Sequence, residues 1–179
     1  EAATSLYSGI STDTGSFLYP SAQATTFHTA ARLLENGADK NLIQAHFWEN
    51  TSKKKVRILE HLFGNITYLL DDSAAYSVFS LETQQALDVS TLDLEGIVAM
   101  IKEIEGVEVA VLFTEMPDGS CKISLRSRDW FDCNRCASVF GGGGHVRASG
   151  ATLTRPLAEA VEAVLAEITQ EWEEAHHAE

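Results

Sequence analysis

The chain has few cysteines, a shortage of positive charge and no long apolar run, and each shortage closes off a class of function. No stretch approaches the roughly 18 apolar residues that a membrane-spanning helix needs. No basic segment leading into an apolar one opens the chain, so a soluble, cytoplasmic protein with no membrane partner is the expectation. Three cysteines, an odd number in 179 residues, make no disulfide framework. Cys133 and Cys136 form a lone C-x-x-C, and no second pair completes the four ligands of a structural zinc site. They are expected as small buried thiols on one helix face. Internal repeats and low-complexity segments are also missing. The chain begins at Glu1, and its first residues read as packed structure, so a piece of a longer protein is expected.

Lys and Arg number 13 against 26 Asp and Glu, a formal net charge of −13. The imbalance is local: residues 1–63 hold six basic and six acidic side chains, and all of the excess falls after them. A chain this acidic is a poor candidate for gripping long duplexes through many phosphates. Between Cys121 and Gly150 the balance reverses, with Lys122, Arg126, Arg128, Arg135 and Arg147 facing only Asp129 and Asp132. A basic pocket in an acidic body suits a small anion better than a polymer.

Apolar spacing predicts helices over Ala24–Leu34, Asn41–Trp48 and Lys53–Phe63. After Gly64–Asn65 the pattern changes. Strands are expected at Ile66–Leu70 and Tyr76–Ser80 around an Asp71–Asp72–Ser73 turn. A helix is expected over Leu92–Ile104, with Leu94, Ile97, Val98, Ile101 and Ile104 on one face. Two more strands, Glu108–Glu115 and Cys121–Arg128, flank the turn residues Pro117–Asp118–Gly119. A short helix over Cys133–Phe140 leads into Gly141–Gly144, and a final helix carries Pro156 in its first turn. The class is α/β, with an α+β second unit of mixed sheet and packed helices. The expected division is residues 1–64 and residues 65–179.

Three stretches carry chemistry. The run Gly141-Gly142-Gly143-Gly144-His145 has more glycine than a turn needs, so close backbone approach is expected. Bare N–H groups there can cradle an anion, with His145 as a further donor; the competing reading is a hinge. In Lys122–Arg128 alternation puts Ile123, Leu125 and Ser127 on one face and Lys122, Ser124, Arg126 and Arg128 on the other. Two guanidinium groups so placed can converge on a phosphate, or the face is an ordinary solvated one. Asp13, in Thr12-Asp13-Thr14-Gly15, can be a metal ligand or a turn cap.

In order and spacing, Thr12–Gly15, Ser124–Arg128 and Gly141–His145 together resemble the DHH phosphoesterases. The bacterial oligoribonuclease and pAp-phosphatase branch, often labelled exopolyphosphatase-related, is the group to which they are most similar. The resemblance implies a catalytic domain holding two divalent cations, usually manganese and otherwise magnesium, and a smaller domain that binds the substrate. Residues 1–64 would then be the last part of the catalytic domain and residues 65–179 the substrate-binding domain. The resemblance makes Asp13 a catalytic metal ligand. It makes Arg126, Ser127, Arg128, Gly143, Gly144 and His145 the substrate-binding set. Short oligonucleotides or nucleotide phosphates would be the partners, and a homodimer is compatible. One departure is large: no Asp-His-His occurs, and Asp13 alone cannot hold two ions. The whole protein is expected to be a hydrolase and this chain alone to be inactive. The alternatives are a non-catalytic nucleic-acid-binding module, since the related domain also accompanies alanyl-tRNA synthetases and RecJ-like exonucleases, or a polyphosphatase or pyrophosphatase.

Overall fold

The computed structural model describes residues 1–47, 49 and 51–176. They form two compact units, Glu1–Ser52 and Lys53–Glu179. The first is helical. Helices α1 (Ala2–Asp13), α2 (Ala24–Glu35) and α3 (Lys40–Phe47) surround a small core of Tyr7, Ala30 and Ile43. The expected end of α3 at Trp48 lies outside the described residues. Helix α1 stops at Thr14, whose Oγ1 donates to the Ile10 carbonyl at 2.7 Å and accepts from the Phe17 N–H at 3.1 Å. Gly15 follows with φ +55°, and the Tyr19 ring covers the place where a Cβ would stand.

The second unit is built on a six-stranded mixed sheet in the order β1-β2-β3-β4-β6-β5. Its strands are β1 (Thr67–Leu69), β2 (Ala74–Phe79), β3 (Val109–Glu115), β4 (Cys121–Ser127), β5 (Gly143–His145) and β6 (Ala148–Leu153). Only β2 and β3 run parallel. One face packs on α7 (Cys133–Val139) and α8 (Leu157–His176), burying Val111, Phe113, Ile123, Leu125, Cys133, Cys136, Val164 and Ile168. The opposite face, over β2 and β3, is covered by α4 (Lys53–Gly64) and α6 (Val98–Lys102) through Ile58, Leu62, Ile97 and Ile101. The mixed sheet with packed helices is the expected architecture.

The compact units part at Ser52, twelve residues before the division expected at residue 64 from the change of pattern at Gly64–Asn65. Helix α4 belongs with the sheet because Ile58 and Leu62 are buried in the same core as Ala75, Phe79 and Leu112. Two local expectations are also corrected. The helix expected over Leu92–Ile104 is only five residues long, Val98–Lys102. Gly96 at φ +77° breaks it, and residues 91–97 form turns. The apolar face nevertheless reaches the core, since Leu94, Ile97, Val98 and Ile101 are all buried. The other correction is a helix that apolar spacing did not signal, α5 (Leu81–Leu87), capped by Ser80, whose side chain accepts from Thr83 N–H at 3.1 Å.

Candidate functional site

Helices cover only half of the face that carries Ala75, Phe79 and Leu112. Beyond β3 the strand register defines what the open half displays, because residues directly opposite one another share a face. Arg126 pairs with Ala148, and Ala148 with His145. Ser124 pairs with Gly150, and Gly150 with Gly143. Lys122 pairs with Thr152. The open floor therefore presents Lys122, Ser124, Arg126 and His145 around glycine and alanine, three basic groups above exposed backbone. At two strand spacings, Arg126 and His145 are about 10 Å apart across the sheet.

Alternation along β4 decides which side chains join this floor. Cys121, Ile123, Leu125 and Ser127 are buried, while Lys122, Ser124 and Arg126 are half-buried. Lys122, Ser124 and Arg126 line a cavity of ≈ 340 Å³ walled on its other side by Thr91, Leu94 and Gly96. Glu95 is the acidic member of that lining. The wall comes from the turns where a helix was expected, which is why sequence periodicity missed it.

Arg128 does not share the cavity. Its Nη2 donates to the carbonyls of Lys102 at 2.7 Å and Ile104 at 3.0 Å, capping the end of α6. The convergence of two guanidinium groups expected from their spacing is therefore absent: strand β4 ends at Ser127, and the chain turns away. Ser127 is buried on the core side, and its hydroxyl donates to Phe131 O at 2.7 Å. Arg147 Nη1 donates to the same carbonyl at 2.9 Å. Glu108, which sequence reasoning did not single out, holds this bend from within. Its buried carboxylate accepts from the N–H groups of Asp129 (3.0 Å to each oxygen), Trp130 (2.8 Å) and Phe131 (2.9 Å).

The glycine run is an edge strand and its approach. Gly141, at φ +72°, ends α7; Gly142 lies where a Cβ would sit 2.2 Å from Gly150 O. Gly144 is crowded by Ala148 O and Ser149 in the same way. Close approach is thus borne out, but the partner pressed against the backbone is β6. Three of the run's amides are already engaged: Gly141 N–H donates to Ser138 O at 3.0 Å, Gly142 N–H to Ala137 O at 2.9 Å and Gly144 N–H to Asn134 Oδ1 at 2.9 Å, so they do not form the expected anion cradle. Gly143 is exposed, with open space before it except for Asn134 Oδ1 at 3.5 Å from a built Cβ. His145 is exposed.

Asp13 is the exposed last residue of α1 in the other unit, beside a cavity of ≈ 290 Å³ lined by Ile10, Thr14, Ser21, Thr25, Thr26 and Thr29. Among the described residues no group of three or more His, Cys, Asp or Glu side chains gathers that could hold a metal. A two-ion centre requires several carboxylate and imidazole ligands, so these residues do not fit one. Cys133 and Cys136 are buried, and burial raises both thiols above their ordinary range; it pushes the Cys121 thiol up to about 11. No described helix is long and apolar enough to cross a membrane.

A mixed sheet with helices packed on both faces, one face sealed and the other partly open over Lys122, Ser124 and Arg126, defines an α/β domain. The chain belongs to the DHHA1 domain family, whose model matches residues 71–174. It is 32% identical over 151 residues to a probable bifunctional oligoribonuclease and PAP phosphatase NrnA of Streptococcus mutans, covering 84% of this chain and 48% of that protein. It is 29% identical over 181 residues to the bifunctional oligoribonuclease and PAP phosphatase NrnA of Thermus thermophilus, covering 96% and 51%. A crystal structure of an exopolyphosphatase-related protein from Bacteroides fragilis matches with a TM-score of 0.85 and 31% identity, over 94% of this chain and 49% of that one. The chain spans about half the length of these relatives. The DHH-family resemblance is thus borne out.

Proposed function

We propose that the protein is a phosphoesterase acting on short oligoribonucleotides or on adenosine 3′,5′-bisphosphate (PAP), and that this chain supplies the surface that holds the substrate. One observation carries the reading: Arg126, Ala148 and His145 stand in one cross-strand row on the open half of the sheet. Arg126 Nη1 donates to Leu125 O at 2.8 Å, and the remaining N–H groups of its guanidinium can meet a phosphate, a contact worth more than a neutral hydrogen bond because both partners are charged. His145 donates from the edge strand to a second phosphate or to the far side of the first. Ser124 and the bare backbone at Gly150 and Gly143 let a bulky anion lie close to the sheet. A floor this small, in a chain of net charge −13, favours a ligand with few phosphates. That supports a preference for short substrates.

Arg128, Ser127 and the glycine run act on this floor indirectly in the proposal. Ser127 and Arg128 hold the bend after β4, and Gly142 and Gly144 let β5 approach, which places His145 in Arg126's row. Hydrolysis itself is assigned to the family's metal chemistry with Mn2+ or Mg2+, to which Asp13 would contribute one carboxylate. Because Asp13 stands without the other ligands of such a centre among the described residues, the role proposed for this chain is binding.

Calorimetric titration of PAP into the chain tests the reading. Arg126→Ala and His145→Ala are each expected to weaken binding by about tenfold or more, the scale of one charge-assisted contact. Affinity for PAP that is unchanged in both variants would overturn it.

A further inference from the structure

Strands β2 and β3 run parallel, and ligands of α/β sheets sit outside the carboxyl ends of such strands. At that end α5 is tied to the sheet: Gln84 Nε2 donates to Phe79 O at 3.0 Å and to Glu115 O at 2.8 Å, and Leu81 N–H donates to Glu115 Oε2 at 2.8 Å. Between α5, the turn after it and Met116–Pro117 lies a cavity of ≈ 620 Å³. Val89, Met116 and Pro117 give it apolar walls, and Gln85, Asp88 and Ser90 give it polar edges. Thr91 lines both this cavity and the one beneath Arg126, so the two adjoin at that residue. Lys122, opposite Thr114, stands between Arg126 and Met116 along the strands. From Ala110, the partner of Arg126, to Met116 is six residues of extended chain, about 20 Å.

We infer that this second cavity is a nucleobase subsite, occupied by the next nucleoside of a substrate longer than one nucleotide. The inference rests on the reading of the floor as the phosphate site. A base is a flat apolar plate with a polar edge, which is the mixture the cavity offers. The Met116 thioether, Val89 and Pro117 can pack on its faces. Gln85 can both donate to and accept from the edge. Asp88 repels a further phosphate and can accept from an exocyclic amino group. Lys122 faces the phosphate that joins the two nucleosides. An inorganic polyphosphate has no apolar face to place against Val89 and Met116 and would meet Asp88 unfavourably.

The chain has two methionines, Met100 and Met116, and they supply a probe and its control. Met100, on α6, packs against the core and is not part of this lining. With methyl-labelled methionine, the dinucleotide pApA is expected to shift the Met116 resonance and leave that of Met100 in place. PAP, with one nucleoside, is expected to shift neither. Gln85→Trp, which fills the cavity from the exposed side of α5, is expected to weaken pApA binding about tenfold, the scale of one stacked base, with PAP affinity kept. A Met116 resonance unmoved by pApA overturns the subsite even if the Gln85→Trp variant does not fold. So does an unchanged pApA affinity in a folded Gln85→Trp variant, or no pApA binding to the chain at all. Arg126→Ala separates the two readings: loss of PAP affinity in that variant, together with no Met116 response to pApA in the wild-type chain, leaves the phosphate floor standing and removes the base subsite.

Discussion

The Nη2 of Arg128 lies 2.7 Å from the carbonyl oxygen of Lys102, at the end of α6. Two residues earlier in sequence, within β4, Arg126 faces the open cavity. Neighbouring guanidinium groups thus have separate tasks, and they should separate in experiment. Arg128→Ala is expected to lower stability by about 1–2 kcal/mol through two lost hydrogen bonds to carbonyls, and to change PAP affinity little. Arg126→Ala should do the reverse. Urea midpoints and calorimetry on both variants check this, and a large affinity loss with unchanged stability in Arg128→Ala would contradict it.

The four glycines should not be equivalent. A Cβ at Gly142 would stand 2.2 Å from Gly150 O, and one at Gly144, with φ +151°, 2.6 Å from Ala148 O. Alanine at either position is expected to cost more than about 2 kcal/mol, because backbone must move. Gly141→Ala carries the smaller penalty of a left-handed conformation, about 1–2 kcal/mol. Gly143→Ala should fold normally. Thermal melts of the four variants rank them, and a Gly142→Ala variant as stable as Gly143→Ala would show that the strand approach is not as described.

Glu108 is expected to be the costliest single carboxylate in the second unit. Its buried oxygens satisfy three successive N–H groups, and Glu108→Ala leaves those donors unpaired at a cost of about 2–4 kcal/mol. Glu108→Gln keeps an acceptor and should recover part of the loss. Denaturant titration of both decides it; equal stabilities for Ala and wild type would rule out the anchoring role.

Glu171 should make the fold pH-sensitive. It is buried beneath α8's surface, and Oε1 has no hydrogen-bond partner. The nearest cation is Arg135, with Nε at 3.9 Å. Burial raises its carboxyl to about 7; Arg135 opposes this, and Glu167, Asp132 and Glu174 reinforce it. A carboxyl raised in the folded state above its ordinary 4.5 keeps its proton longer when folded. Its contribution is therefore fully present below about pH 4.5 and is lost as pH climbs through 7. Glu171→Gln should remove that decline, so the variant gains on wild type between pH 5 and pH 8 in urea midpoints. Parallel pH profiles for variant and wild type would contradict it.

Much of the second unit was legible from residue order because its elements are locally determined. Strand alternation in Cys121–Ser127, the Pro117–Asp118–Gly119 turn, and the apolar stripe of α8 need only the periods 2 and 3.6. The glycine-to-His145 run and the basic island around Arg126 were visible for the same reason, as was the family likeness they carry. Hidden were α5, a seven-residue helix without an apolar stripe of its own, and the interruption at Gly96.

By itself the sequence determined which faces are apolar, where charge collects, and that the backbone must approach something closely within Gly141–Gly144. Only the tertiary structure decided what is approached and which cations meet. Register through Ala148 brings His145 into the row of Arg126, although nineteen residues separate them. The fold removes Arg128 to a helix end, although two residues separate it from Arg126. The physical reason is that strand pairing and carbonyl capping are long-range hydrogen-bonded choices, and nothing in local periodicity encodes the partner.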